Sequence, residues 1–241
     1  ISVFIHGALV VFPGIKTEKA DLLLEDGLIK SVNPRRRDIP SSAERINASG
    51  TLLTPGLIDI HTHGISTFQY QQGLGSITDG SKALPSFGTT CFFPTFVPRS
   101  SRNFPSELDK FANAQAHASG AKVGGFHIEG PFVAISGAAC KPTAGDIKLL
   151  DEILSAGGGN VRIMMISPEI KNVVRVIERL VERKVVPFIG HTSASVAQTQ
   201  KAIDAGARHA THFYDVTPLP QETEAGVRPC GVVETILADK R

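Results

Sequence analysis

The sequence predicts a (β/α)8 barrel of the TIM type, with about six of its eight units present in 241 residues, behind a small all-β subdomain. Three observations predict it. From residue 53 onward, strand-like and helix-like segments alternate without an antiparallel interruption, the pattern of a parallel sheet with crossover helices. Residues 1–52 instead read as short strands and turns. Finally, polar side chains stand at the end of strand after strand, where a barrel gathers its active site.

In the β subdomain, residues 2–11 are rich in β-formers and stop at Phe12-Pro13-Gly14. Residues 21–24 form a second strand, and Glu25-Asp26-Gly27 has hairpin-turn chemistry before the strand 28–32. Residues 40–42 are a polar link, and 45–48 precede a turn at Ser49-Gly50. A unit this small needs more strands or a neighbour to be stable.

The barrel domain is expected to span residues 53–241. Its strands are 57–63, 88–95, 122–129, 161–166, 185–189 and 210–214. Helices are predicted over 77–87 and over 106–118, where Leu108, Phe111, Ala112 and Gln115 fall at helical spacing. Asp146 caps a helix through Leu154 that stops at Gly157-Gly158-Gly159. The helix 170–183 carries Val173, Val174, Ile177, Leu180 and Val181 on one face. A helix over 196–205 ends at Gly206, and another begins at Val232. Two strands are wanting for closure, and an open six-stranded barrel leaves unpaired edges, so the sequence is expected to be part of a longer chain.

Composition narrows the partners. The chain is 41% hydrophobic and 20% charged with a formal net charge of +2, a soluble globular balance that predicts neither a nucleic-acid nor a membrane partner. Arg35-Arg36-Arg37, between Pro34 and Asp38, reads as a solvated loop. Cys91, Cys140 and Cys230 are scattered and odd in number, which predicts a reducing, cytoplasmic setting and no cysteine-based zinc site. The first fifteen residues lack the basic start and cleavage site of a secretion signal.

The chemistry sits at the strand ends. His61 and His63 alternate with Thr62, so both imidazoles fall on one face of the first strand. The third strand ends at Glu129, the fifth runs into His191, and the sixth contains His212. Four histidines and a glutamate at one barrel mouth suit zinc or a similar divalent ion. His127 shares the inward face of Glu129 one layer deeper, as core filler or as a partner of the metal ligands. Asp59 stands in the same relation to His61, as an orienting group or as a hydrogen-bonded acid. Surface or packing roles are expected of His6, His117 and His209.

The segments Pro-Gly-Leu-Ile-Asp-Ile-His-Thr-His-Gly (55–64), Gly-Thr-Thr-Cys-Phe-Phe-Pro-Thr (88–95), Gly-Phe-His-Ile-Glu-Gly-Pro-Phe (125–132), Gly-His-Thr-Ser-Ala (190–194) and Thr-His-Phe-Tyr (211–214) resemble the amidohydrolase superfamily. Within it the chain most resembles the N-acetylglucosamine-6-phosphate deacetylases, and the leading unit is similar to their small β-sandwich domain. The resemblance implies metal-dependent deacetylation of an N-acetyl amino-sugar 6-phosphate by a cytoplasmic enzyme, often a homodimer, with a small-molecule substrate. It implies that Glu129, His191 and His212 hold a principal metal and that His61 and His63 complete a second site, one or two zinc ions in all. The family's catalytic aspartate ends an eighth strand, so no residue here is assigned that role. Its substrate loops correspond to Gly137-Ala138-Ala139 and to Asp215-Val216-Thr217, where the family usually has Gly-Ala-His and Asn-Ala-Met. These place Ala138, Ala139, Asp215 and Val216 at the substrate, with Arg228 as the phosphate-binding arginine. A carboxylate at Asp215 repels a phosphate unless it is paired or turned away. Another N-acyl or cyclic amide substrate, or a catalytically silent metal-binding homologue, therefore stays open.

Overall fold

A computed structural model describes residues 1–137 and 140–241. The chain divides into two units, Ile1–Gly56 and Leu57–Arg241. In the first, β1 (Ser2–Phe12) pairs antiparallel with β2 (Lys16–Glu25), and β2 pairs antiparallel with β3 (Leu28–Val32). β4 (Glu44–Asn47) and β5 (Leu52–Leu53) run parallel to β1, giving one five-stranded sheet. Because β5 registers on Leu9 and Val10, residue 53 lies with this unit and not with the barrel. Alternation sends Leu22 into a cluster with Ala8, Val10 and Ala20, while Leu23 joins Phe4 and Ala43 in another.

The second unit starts with β6 (Leu57–Thr62) and a short hairpin of β7 (Gly64–Ile65) and β8 (Phe68–Gln69). Helix α1 (Leu74–Ala83) follows, then β9 (Thr89–Phe96), α2 (Phe104–Asp109) and α3 (Ala114–His117). Next come β10 (Lys122–Val123), β11 (Phe126–Ile128), α4 (Ile147–Ala156), β12 (Val161–Ile166) and α5 (Val173–Glu182). The chain continues through β13 (Val186–Ile189), α6 (Val196–Ala205), β14 (His209–Ala210) and α7 (Val232–Ala238). β6, β9, β11, β12, β13 and β14 pair in chain order and all in parallel, with β10 lengthening the β11 position against β9. This is the curled sheet of a TIM-type barrel, six positions long. One continuous core fills it, from Phe92, Phe96 and Phe126 to Met164, Ile166, Ile177 and Leu180.

Four expected elements differ, each for a local reason. The helix over 106–118 is broken into α2 and α3, because the Asn160 amide takes the Ala112 carbonyl at 2.7 Å and the chain between them closes through i→i−3 bonds. The third strand is interrupted at Gly124-Gly125. Gly125 has φ +149, and a Cβ there would lie 2.8 Å from the Asn160 carbonyl oxygen. On α5 the buried stripe is Val173, Val176, Ile177 and Leu180, while Val174 and Val181 are exposed. The i, i+3, i+4, i+7 pattern decides which valines face inward. The sixth strand is only His209–Ala210. His209 therefore lies within it, stacked on Phe188, and His212 lies beyond it.

Helix α4 starts where its cap dictates. Asp146 accepts hydrogen bonds from the Lys148 and Leu149 amides at 2.9 and 3.2 Å. Asp146→Ala is expected to cost about 1 kcal/mol, read as a lower midpoint in urea with an unchanged slope. An unchanged midpoint would remove the cap from the account of this helix. No helix among the described residues is long and apolar enough to cross a membrane.

Candidate metal centre

Four histidines from three strand ends meet around Glu129, which follows a fourth. The Glu129 amide donates to the Phe96 carbonyl at 2.9 Å, which continues the β9–β11 ladder and fixes the buried carboxylate at the sheet's end. Its Oε1 lies 3.0 Å from His191 Nε2 and 3.2 Å from His212 Nε2, and those nitrogens are 3.1 Å apart. Its Oε2 faces the other pair, 2.9 Å from His63 Nε2 and 3.9 Å from His61 Nε2. Each carboxylate oxygen thus serves one pair of histidines. His61, Glu129 and His212 also form a triad whose ligand atoms lie within 4.8 Å of one another.

Strand alternation accounts for His61, but not for His191 and His212. Those two follow β13 and β14 with φ of +50° and +29°, a left-handed backbone in which the loop, not the strand, aims the ring. The strain is held by hydrogen bonds. Buried Ser167 reaches the Gly190 and His191 carbonyl oxygens at 2.9 Å and accepts from the Ala134 amide. Glu169 binds the Thr192 hydroxyl and the Ser193 amide, pinning the loop after His191. Sequence reasoning missed Ser167 and Glu169, and it placed Gly137 in a substrate loop rather than against His191. The first two carry no motif, only their places just past β12.

The ring nitrogens show which atoms the cluster turns inward. His63 Nδ1 faces the Thr95 carbonyl at 3.2 Å, His191 Nδ1 the Ile135 carbonyl at 3.1 Å, and His212 Nδ1 the Asp215 carbonyl at 3.2 Å. A carbonyl only accepts, so each Nδ1 carries the hydrogen and each neutral ring offers Nε2 as a lone pair. Three lone pairs and a carboxylate then face one another across about 3 Å. Only protons or a cation among them relieve the repulsion. The short His63–Glu129 contact lacks hydrogen-bond alignment, and Glu129 Oε2 is a buried oxygen without a hydrogen-bond partner. Tetrahedral zinc with bonds of about 2.0–2.1 Å separates its donor atoms by about 3.3 Å, close to the edges observed. The donor set fits a divalent ion.

Charge follows the same geometry. Burial works to raise the Glu129 carboxyl, but His191, His212 and His63 together hold it well below the usual carboxylate range. Contact with Glu129 raises His63 and His212 above the ordinary imidazole value, against the opposing effect of burial. His61 is pushed down to about 4 and His127 to about 3, both chiefly by burial. His127 lies beneath the cluster, its Nδ1 2.8 Å from the Ile60 carbonyl. Asp59 accepts from the His61 backbone amide at 3.1 Å, so it holds the chain and not the imidazole.

Gly137 lies against His191. A Cβ there would stand 2.0 Å from Cε1 and 2.5 Å from Nδ1 of the ring. Gly137→Ala is expected to displace His191 and weaken metal binding about 10–100-fold, with little change in the unfolding midpoint, as measured by zinc titration alongside a melt. Wild-type affinity in that variant would mean the ring has slack.

The expected substrate residues are less gathered. Ala138 and Ala139 lie outside the described residues. Asp215 gives its backbone carbonyl to the His212 ring and turns its carboxylate onto the Val216 amide at 3.0 Å. Val216 accepts from the Thr192 amide, tying the loop after β14 to the loop after β13. Arg228 is engaged by the Pro220 carbonyl at 2.6 Å and by Glu222 at 3.2 Å, so it does not stand free as an anion ligand.

Residues 52–235 match the model of the amidohydrolase family. An N-acetylglucosamine-6-phosphate deacetylase of Bacillus subtilis is 30% identical over 85% of this chain and 54% of its own length. An N-acetylgalactosamine-6-phosphate deacetylase of Escherichia coli is 28% identical over 91% of this chain and 57% of its own. The crystal structure of N-acetylglucosamine-6-phosphate deacetylase from Pasteurella multocida superimposes with a TM-score of 0.83 at 19% identity, covering 99% of this chain and 62% of that one. The chain spans a little over half the length of the curated relatives it matches.

Proposed function

Because the chain belongs to the amidohydrolase family, we propose that it carries the metal centre of a hydrolase that removes the acetyl group from an N-acetyl amino-sugar 6-phosphate. The observation that carries this reading is the convergence of three Nε2 lone pairs on one buried carboxylate. Glu129, His191 and His212 would hold the principal ion, zinc by donor type, and His61 and His63 with Glu129 Oε2 a second. A bound ion supplies Lewis acidity for activating water and for polarising the amide carbonyl. The chain's own contribution is orientation. Backbone carbonyls fix three imidazoles in one tautomer, Glu129 offers one oxygen to each half of the site, and the β9–β11 ladder holds it there. The relatives' names leave glucosamine and galactosamine open. The Asp215 carboxylate is occupied by its own backbone, which lessens its repulsion of a phosphate. Three unpaired cysteines are in keeping with a cytoplasmic enzyme.

The test offers the zinc-loaded full-length protein N-acetylglucosamine-6-phosphate, N-acetylgalactosamine-6-phosphate, both unphosphorylated sugars, an N-acyl amino acid and a cyclic amide. Turnover of a phosphorylated sugar, lost on chelation and restored by zinc, is expected. Turnover confined to unphosphorylated substrates would sink the assignment.

A further inference from the structure

Resting on the assignment of His61 as a metal ligand, we propose that His127 sets the tautomer of His61 by accepting its Nδ1 hydrogen, directly or through one water. His61 is the exception among the clustered histidines. Its three companions each present Nδ1 to a backbone carbonyl, whereas His61 Nδ1 is buried with no hydrogen-bond partner among the described residues. A ring of matching need, His127, packs against it. That ring is fully buried and its Nδ1 bonds the Ile60 carbonyl at 2.8 Å, so Nδ1 carries the hydrogen and Nε2 is a bare acceptor. His127 Nε2 is also buried without a partner.

Two rings pack on His127 among the described residues, and of these His61 is the one that carries a donor. Phe188 packs on His127 with centroids 5.4 Å apart and offers no hydrogen to share. His61 meets His127 edge to face with centroids 4.7 Å apart. At that spacing the edge of one ring lies about 3 Å from the plane of the other, so a small tilt or one bridging water joins donor to acceptor. Because Ile60 precedes His61, the carbonyl that orients His127 moves with the residue His127 would orient. The pair closes on itself, and His61 Nε2 is left as a lone pair toward Glu129 Oε2. His127 is thus a positioning residue for one half of the site.

Nitrogen-15 NMR of the metal-free full-length protein tests this. In the wild type His61 is expected as a single Nδ1–H tautomer. In His127→Phe it should become a mixture of both tautomers, and in His127→Gln, whose amide oxygen still accepts, the single tautomer should return. Zinc titration of the same proteins should show the weaker ion bound about 10–100-fold less tightly in His127→Phe, with the tighter ion unchanged. A wild-type His61 found as Nε2–H, or a His127→Phe protein with the wild-type tautomer, overturns the proposal. Should His127→Phe fail to fold, the wild-type spectrum alone decides. A wild-type protein that takes up no zinc refutes the metal reading instead, while the tautomer result still judges the histidine pair.

Discussion

Glu129→Ala is expected to reduce bound metal from stoichiometric to below about a tenth of an equivalent, by elemental analysis after dialysis against trace zinc. Among the described residues the carboxylate touches both halves of the site, and it brings a negative charge to a cluster of imidazoles. Removing it leaves neutral imidazoles around a buried space, and a divalent ion there loses both a ligand and its charge compensation. His191→Ala should approach the same result, because Nε2 of His191 forms an edge of the tighter triad. Activity should fall with metal content in both. Full metal content in the two variants would refute the site. Protons compete for the same nitrogens. With His63 and His212 raised by Glu129, metal affinity should begin to fall on acidification at a higher pH than free imidazole would dictate.

The largest loss of stability is expected from Phe96→Ala, at about 3–5 kcal/mol. Phe96 is 1% exposed and packs on Phe111 at 4.7 Å and edge-to-face on Phe126 at 5.2 Å. Truncation opens a cavity between β9, β11 and the turn that splits α2 from α3, all held by the rigid sheet, so relaxation can fill little of it. Chemical denaturation should show the loss as a lower midpoint, with metal binding also weakened because the Phe96 carbonyl anchors the Glu129 amide. A loss below about 1 kcal/mol would mean that the aromatic cluster repacks freely.

These two sites differ in how far the sequence announces them. Phe96 stands one residue past the strand expected over 88–95, and the structure extends β9 to include it. Glu129 is legible, since a carboxylate ending a buried strand between Ile128 and Gly130 has no cheap structural use. His61 and His63 are legible through the two-residue period. His191 and His212 could be placed near the site, but their aim could not be read, because left-handed loop backbones have no periodic signature. The roles of Ser167, Glu169 and Gly137 at His191 were invisible for the same reason. Their work is done across 24, 24 and 54 residues of chain, on the His191 carbonyl, the Ser193 amide and the His191 ring.

The sequence by itself determined the repeating strand and helix order, the parallel sheet and the five candidate ligand positions, because periodicity and residue chemistry are local properties. Only the tertiary structure decided which nitrogen of His63, His191 and His212 faces Glu129. That choice depends on carbonyl groups at Thr95, Ile135 and Asp215, supplied by loops, and backbone carbonyls are the same in every residue. A side chain's identity can be read from a sequence; the direction of a neighbouring peptide bond is fixed only when the chain has packed.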